Sequence, residues 1–139
     1  MLTDLLDTIL LQELHKGKQV FLSGGALGFD TLAAQAVLRL RKNNPEAKLV
    51  FILPCHSQHL HWNEQDKKIY QSLLKQADQV FYISKDYFNG CMQKRNRFLV
   101  DHADVCCCYL KSCRGGTWYT VSYAYDHGLN IRNLAMEFR

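Results

Sequence analysis

Proline is scarce, at two in 139 residues. A chain so poor in that helix breaker, with 47% hydrophobic and 22% charged residues, is neither a disordered nor a fibrous polymer. Long apolar runs are also missing: stretches such as 49–53 fall far short of the roughly 20 residues that cross a bilayer, so no membrane span is expected. The start, Met1-Leu2-Thr3-Asp4, has an acid where a secretory leader has a basic region, and no small-residue cleavage site follows Leu11. A cytoplasmic protein is the expectation. Charge of one sign is not concentrated either. The 17 Lys and Arg against 13 Asp and Glu give a net +4 spread along the chain, which disfavours nucleic acid as a partner.

No Cys-x-x-Cys or His-Glu-x-x-His pair accompanies the loop Cys55-His56-Ser57-Gln58-His59-Leu60-His61, so no metal is assigned. Of six cysteines, Cys106, Cys107 and Cys108 are consecutive in an apolar run, which reads as reduced core residues and not as a disulfide scaffold. None of the six stands out as a nucleophile with a fixed basic partner.

What is present is alternation. Leu2, Leu5, Leu6, Ile9, Leu10 and Leu14 recur at three- and four-residue spacings and predict an opening helix that Gly17 ends in a left-handed cap. Gln19–Leu22 reads as a strand. Leu32, Ala33, Ala36, Val37 and Leu40 mark a second helix stopping before Pro45. Strand 48–53, helix 62–77, strand 79–83, helix 91–102, strand 105–110, helix 117–127 and strand 130–134 follow. Five helices thus alternate with five strands whose apolar runs are continuous, as in a parallel sheet covered on both faces. The predicted fold is α/β: a three-layer, doubly wound Rossmann-like domain over residues 1–139 with a mainly parallel sheet. Such folds normally open with a strand, and this chain opens with a helix.

Six of the eight glycines, Gly24, Gly25, Gly28, Gly90, Gly115 and Gly116, fall between a strand and the next helix. Parallel topology puts all those loops on the ligand-binding edge, where free amides at helix starts suit an anion such as phosphate. The sharpest segment is Ser23-Gly24-Gly25-Ala26-Leu27-Gly28-Phe29-Asp30, which is neither a dinucleotide fingerprint nor a P-loop. The second is Arg114-Gly115-Gly116-Thr117, with Thr120 one turn on. In the third, Cys91 to Asp101, a helical wheel puts Met92, Asn96, Leu99, Val100 and Ala103 on one face, so Asn96 interrupts an apolar stripe. Arg95 is the cation suited to phosphate, while Lys94 and Arg97 read as solvated. Trp62 and Tyr87, at or before helix starts, are candidates to stack on a base.

Taken together, 23–34 (SGGALGFDTLAA), Pro54-Cys55 with Gln58 and Trp62, Tyr87, 90–101 (GCMQKRNRFLVD) and 115–124 (GGTWYTVSYA) closely resemble the bacterial YpsA-like family. That family belongs to the SLOG superfamily, which also holds the LOG phosphoribohydrolases and the DNA-processing protein DprA. The resemblance runs from about residue 1 to 134 and implies a Rossmann-like fold and a nucleotide-derived ligand. Members usually begin with a strand ending in a Thr-Gly-His-Arg-Pro type loop. No such segment is present, so the chain is expected to lack the family's first strand and to be truncated at its N-terminus. LOG-type hydrolases carry a glutamate within a turn of the second glycine loop. Here Thr120, Val121 and Ser122 follow, and the next acid is Asp126, which disfavours glycosyl cleavage.

The leading expectation is binding or sensing of a nucleotide or ADP-ribose-like ligand. Phosphate would sit on the backbone of Gly24, Gly25, Gly28, Gly115, Gly116 and Thr117, with Arg95 adding charge, Asn96 orienting the site and Asp30 accepting ribose hydroxyls. The alternatives are a LOG-like phosphoribohydrolase acting on nucleoside monophosphates through Asp30, and a DprA-like single-strand DNA binder. A homo-oligomer is left open.

Overall fold

The computed structural model describes residues 2–137. In chain order the elements are α1 (Leu2–His15), β1 (Val20–Ser23), α2 (Phe29–Asn43), β2 (Lys48–Leu53), α3 (Glu64–Gln76), β3 (Gln79–Tyr82), α4 (Cys91–Asp101), β4 (Val105–Cys108), α5 (Gly116–Asp126), β5 (Asn130–Asn133) and α6 (Leu134–Glu137). All five strands and five long helices expected from the sequence are present, and a one-turn helix follows β5. α3 begins at Glu64 instead of residue 62 because Asn63 caps it, its side chain accepting the Asp66 N–H at 2.8 Å. α1 ends as its sequence predicts. Gly17 has φ +100°, with Gly17 N–H on the Leu14 carbonyl and Lys18 N–H on the Glu13 carbonyl, the two bonds of a Schellman cap. No helix is long and apolar enough to cross a membrane among the described residues.

β2 is buried along Leu49–Leu53 and is the middle of a parallel sheet in the order β1-β2-β3. Leu49, Phe51 and Leu53 point into the main core with Leu6, Ile9 and Leu10 of α1, Ala34, Ala36 and Val37 of α2, and Tyr70 and Leu73 of α3. Val50 and Ile52 are buried on the opposite face, where α4 packs on β2 and on α5. Helices therefore cover both faces, the α/β arrangement of a Rossmann-like fold. Asp78 fastens one edge: its Oδ2 accepts from Leu49 N–H and from Arg41 Nη1, each at 2.8 Å. These bonds lower its pKa below the ordinary 3.8. A lowered carboxylate contributes stability above its unfolded pKa and loses it as pH falls through the folded value. Asp78→Asn is therefore expected to flatten the acid limb of a Tm-against-pH curve below about pH 4; an unchanged limb would show that other carboxylates set it.

The sheet itself departs from expectation. In place of one continuous sheet there are two, β1-β2-β3 and a parallel pair β4-β5, and no ladder joins β1 to β4. Lys18 Nζ, just before β1, pairs with Asp104 Oδ2, just before β4, at 3.1 Å. Right-handed crossovers on one face of a sheet all step the same way. α2 and α3 connect the strands of the first sheet, and α5 connects β4 to β5 in the second. α1 holds the halves together on one face: Arg132 of β5 donates to buried Glu13 at 2.9 Å, to Gln12 at 3.0 Å and to Glu137 of α6 at 2.7 Å.

Candidate functional site

Parallel pairing puts the exits of β1, β2 and β3 at one end of the first sheet, with the Ser23–Asp30 turn at the exit of β1, and the turn containing Gly115 and Gly116 follows β4 in the second sheet. Open α/β sheets bind ligands at strand exits.

The first turn is tied from within. Ser23 Oγ accepts Gly25 N–H at 3.2 Å, Asp30 Oδ2 accepts Ala26 N–H at 3.1 Å, and Thr31 Oγ1 donates to the Ala26 carbonyl at 3.3 Å. Behind it sits Arg95, only 4% exposed, which donates from Nη1 to the Gly24 carbonyl and to Gln58 Oε1 at 3.3 Å, and from Nε to Asn96 Oδ1 at 2.8 Å. Gln58 Nε2 lies 3.4–3.5 Å from the Gly24 and Gly25 carbonyls and 3.4 Å from the Tyr70 hydroxyl, long contacts that close the same network. His59 stacks on Tyr70 at 4.8 Å, and its Nδ1 is buried with no hydrogen-bond partner among the described residues.

Two roles expected from the sequence change accordingly. Gly25 does not offer its amide to a phosphate, because Ser23 holds it, and Gly24 is backed by the Arg95 guanidinium; both glycines form the scaffold of the site. On α4 the helical wheel is turned by about one residue: Cys91, Arg95 and Val100 face inward, while Met92 is 36% exposed and Asn96 half-buried. Buried carbonyl and amide oxygens supply Arg95 with acceptors, which lets a guanidinium occupy an inward position.

Electrostatics concentrate on Asp30. Burial pushes its carboxyl pKa above the ordinary value, while the Ala26 N–H and the Arg95 charge act against that rise. Burial likewise lowers the pKa of Arg95, with Asp30 opposing, and raises that of Tyr70 to about 12. A half-buried carboxyl and a buried guanidinium thus oppose each other's shift at the exit of β1.

The open part of the edge lies elsewhere. α2, α4 and α5 each start at a glycine N-cap, Gly28, Gly90 and Gly115, with no side-chain cap, unlike α3. Cβ atoms at Gly28, Gly90, Gly115 or Gly116 would touch nothing within 4 Å. Gly116 and Thr117 are exposed. Thr120 Oγ1 donates back to the Gly116 carbonyl at 3.0 Å and so is committed to its own helix. Trp62 packs edge-on against Tyr70, ring centres 5.1 Å apart, and supports the core; Tyr87 stands 62% exposed. Gln58, His59 and Tyr70 were not singled out as site residues from the sequence. The signal for Gln58 was its place in the loop after β2, the neighbour of β1. Of the cysteines, Cys55, Cys91 and Cys108 are buried, Cys106 and Cys107 are half-buried, and Cys113 is exposed. Two concave regions of about 580 Å³ between α2 and α3 and about 500 Å³ beside α5 and Ile131 are lined by no residue of these turns.

A family model named YpsA, described as the YspA SLOG family, matches residues 1–133. The chain belongs to the YpsA SLOG family. Among curated relatives, the uncharacterized SPbeta prophage-derived protein YoqJ of Bacillus subtilis is 27% identical over 121 residues, 78% of this chain and 71% of the relative. A UPF0398 protein of Halalkalibacterium halodurans is 33% identical over 97 residues, 68% of this chain and 51% of the relative. The UPF0398 protein YpsA of Bacillus subtilis is 30% identical over 97 residues, 68% and 54% respectively. This YpsA SLOG chain thus spans about half the length of those UPF0398 relatives.

Proposed function

We propose that this chain binds or senses a nucleotide or a nucleotide-derived, ADP-ribose-like molecule at the exits of β1 and β4. The observation that carries the reading is the pair of uncapped glycine helix starts, Gly28 on α2 after β1 and Gly115 on α5 after β4. Free first-turn amides at Leu27–Gly28 and Gly115–Thr117 would take the phosphates. Arg95, held inside by its three acceptors, contributes its positive field without direct contact, Asn96 keeps its fork oriented, and Asp30 is placed to meet a ribose hydroxyl.

The test separates binding from folding at one position. Gly116 begins α5, has no positive φ and has open space where a side chain would go. A carboxylate at a helix start is stabilising by about 0.3–1 kcal/mol, yet it would repel a phosphate from the same amides. Gly116→Asp is therefore expected to keep or raise Tm while weakening ADP-ribose binding at least tenfold in a calorimetric titration. Equal affinity for ADP-ribose in both proteins, or no binding by the parent at millimolar concentration, would overturn the reading.

A further inference from the structure

β4 reads Val105-Cys106-Cys107-Cys108, and strand alternation turns the middle thiol away from the other two. Cys107 packs against the main core, within the field of Glu13 and Arg132. Cys106 and Cys108 share the opposite face, which α5 covers, with their register partners on β5, Ile131 and Asn133. The two thiols are each other's hydrogen-bond partner, and no charged side chain among the described residues acts on either sulfur.

This spacing suits a bridging ion better than a disulfide. Residues two apart on a strand have Cα atoms about 6.6 Å apart, whereas disulfides favour about 5.5–6 Å. An ion between the sulfurs replaces one S–S bond of about 2 Å by two metal–sulfur bonds, each about 2.3 Å for a zinc thiolate. It spans the pair without bending a strand that is paired to β5 along its whole length. The number of donors then selects the ion. Among the described residues no group of three or more His, Cys, Asp or Glu could hold a metal, so the four ligands of a structural zinc are not at hand. Soft thiolates select copper(I), a d10 ion that two collinear sulfurs satisfy.

A path leads to the pair. Ile131, about 4.8 Å from Cys106 across the ladder, lines the cavity of about 500 Å³ beside α5 together with Ser122 and Asp126. Asp126, exposed on that wall, favours entry of a cation. Ser122 Oγ is buried with no hydrogen-bond partner among the described residues. Copper(I) on two thiolates carries one net negative charge, and a spare hydroxyl donor on the cavity wall is a group such a charge can use.

We infer that Cys106 and Cys108 form a two-sulfur site for copper(I). On binding, two thiol protons pass to solvent, two sulfur–copper bonds form, and copper stays in the +1 state.

The test uses the whole reduced chain under argon with no nucleotide present, and so stands apart from the ligand reading. The parent is expected to withdraw one equivalent of copper(I) from its bicinchoninate complex. Cys106→Ser and Cys108→Ser are each expected to lower the affinity by more than about a hundredfold, beyond what loss of an indirect contact costs. Cys107→Ser, on the other face, and Cys113→Ser, at an exposed position, are expected to match the parent. Two readouts on the unsubstituted chain do not depend on the variants folding. X-ray absorption is expected to show two sulfur neighbours of copper and no nitrogen, and bound copper to slow alkylation of Cys106 by iodoacetamide at least tenfold while Cys113 reacts as before. The inference is overturned if the parent leaves the copper with bicinchoninate, if Cys106→Ser binds as tightly as the parent, if absorption shows three or more ligands, or if alkylation slows at Cys113 instead of Cys106.

Discussion

Arg95→Ala is expected to cost about 3 kcal/mol of folding stability, a large share of the roughly 5–15 kcal/mol of a whole domain. The reason is what stays behind. The guanidinium is the donor for the Gly24 carbonyl, Gln58 Oε1 and Asn96 Oδ1, and it sits 4% exposed where water reaches poorly. Each buried acceptor stripped of its donor costs about 1–3 kcal/mol, partly recovered by rearrangement. Asp30 also loses the positive charge that opposes its rise in pKa. Arg95→Lys keeps a charge but replaces a planar fork by a point donor that cannot serve three acceptors, and is expected to lose about half as much. Urea unfolding of the three proteins measures this directly. A shared midpoint would mean that the arginine is not a structural post, and its effect on ligand affinity would then have to be direct.

Arg95 also shows where the sequence could be read and where it could not. Helices and strands were legible because their apolar periods differ: α1 repeats every three to four residues and β2 is continuous. The turn glycines were legible because each lies between a strand and a helix. The rotation of α4 was not, since apolar Met92 and charged Arg95 compete for one inward position, and the winner depends on carbonyls brought from β1 and from the loop after β2, 71 and 37 residues away. The same long-range supply of partners explains why Tyr70 carries no signal in the sequence and Gln58 only its place in the family resemblance. Ordinary in local pattern, they matter only once α3 and the β1 turn meet. Continuity of the sheet is likewise a property of strand pairing between distant segments, which no local period encodes.

The turn's dependence on its filling is tested hardest at Gly25. Its φ of +69° lies in the left-handed region, where a Cβ costs about 1–2 kcal/mol, and a Cβ there would stand 2.7 Å from Leu53 Cδ2 and 3.2 Å from the Tyr70 ring. Leu53 is fully buried and Tyr70 4% exposed, so neither can swing out to solvent. Overpacking of this kind adds about 1–3 kcal/mol, and Gly25→Ala is expected to lose about 2–4 kcal/mol in total. Gly90→Ala is the control. Its φ of +94° and ψ of 0° are left-handed, yet no atom lies within 4 Å of the added Cβ, so it should lose only the strain part, about 1–2 kcal/mol. The difference between the two variants in denaturant midpoint reads the packing of Leu53 and Tyr70 beneath the turn. If both fall equally, the turn is not filled from behind, and the amides assigned to Ser23 and Asp30 are as available to a phosphate as those of Gly115 and Gly116.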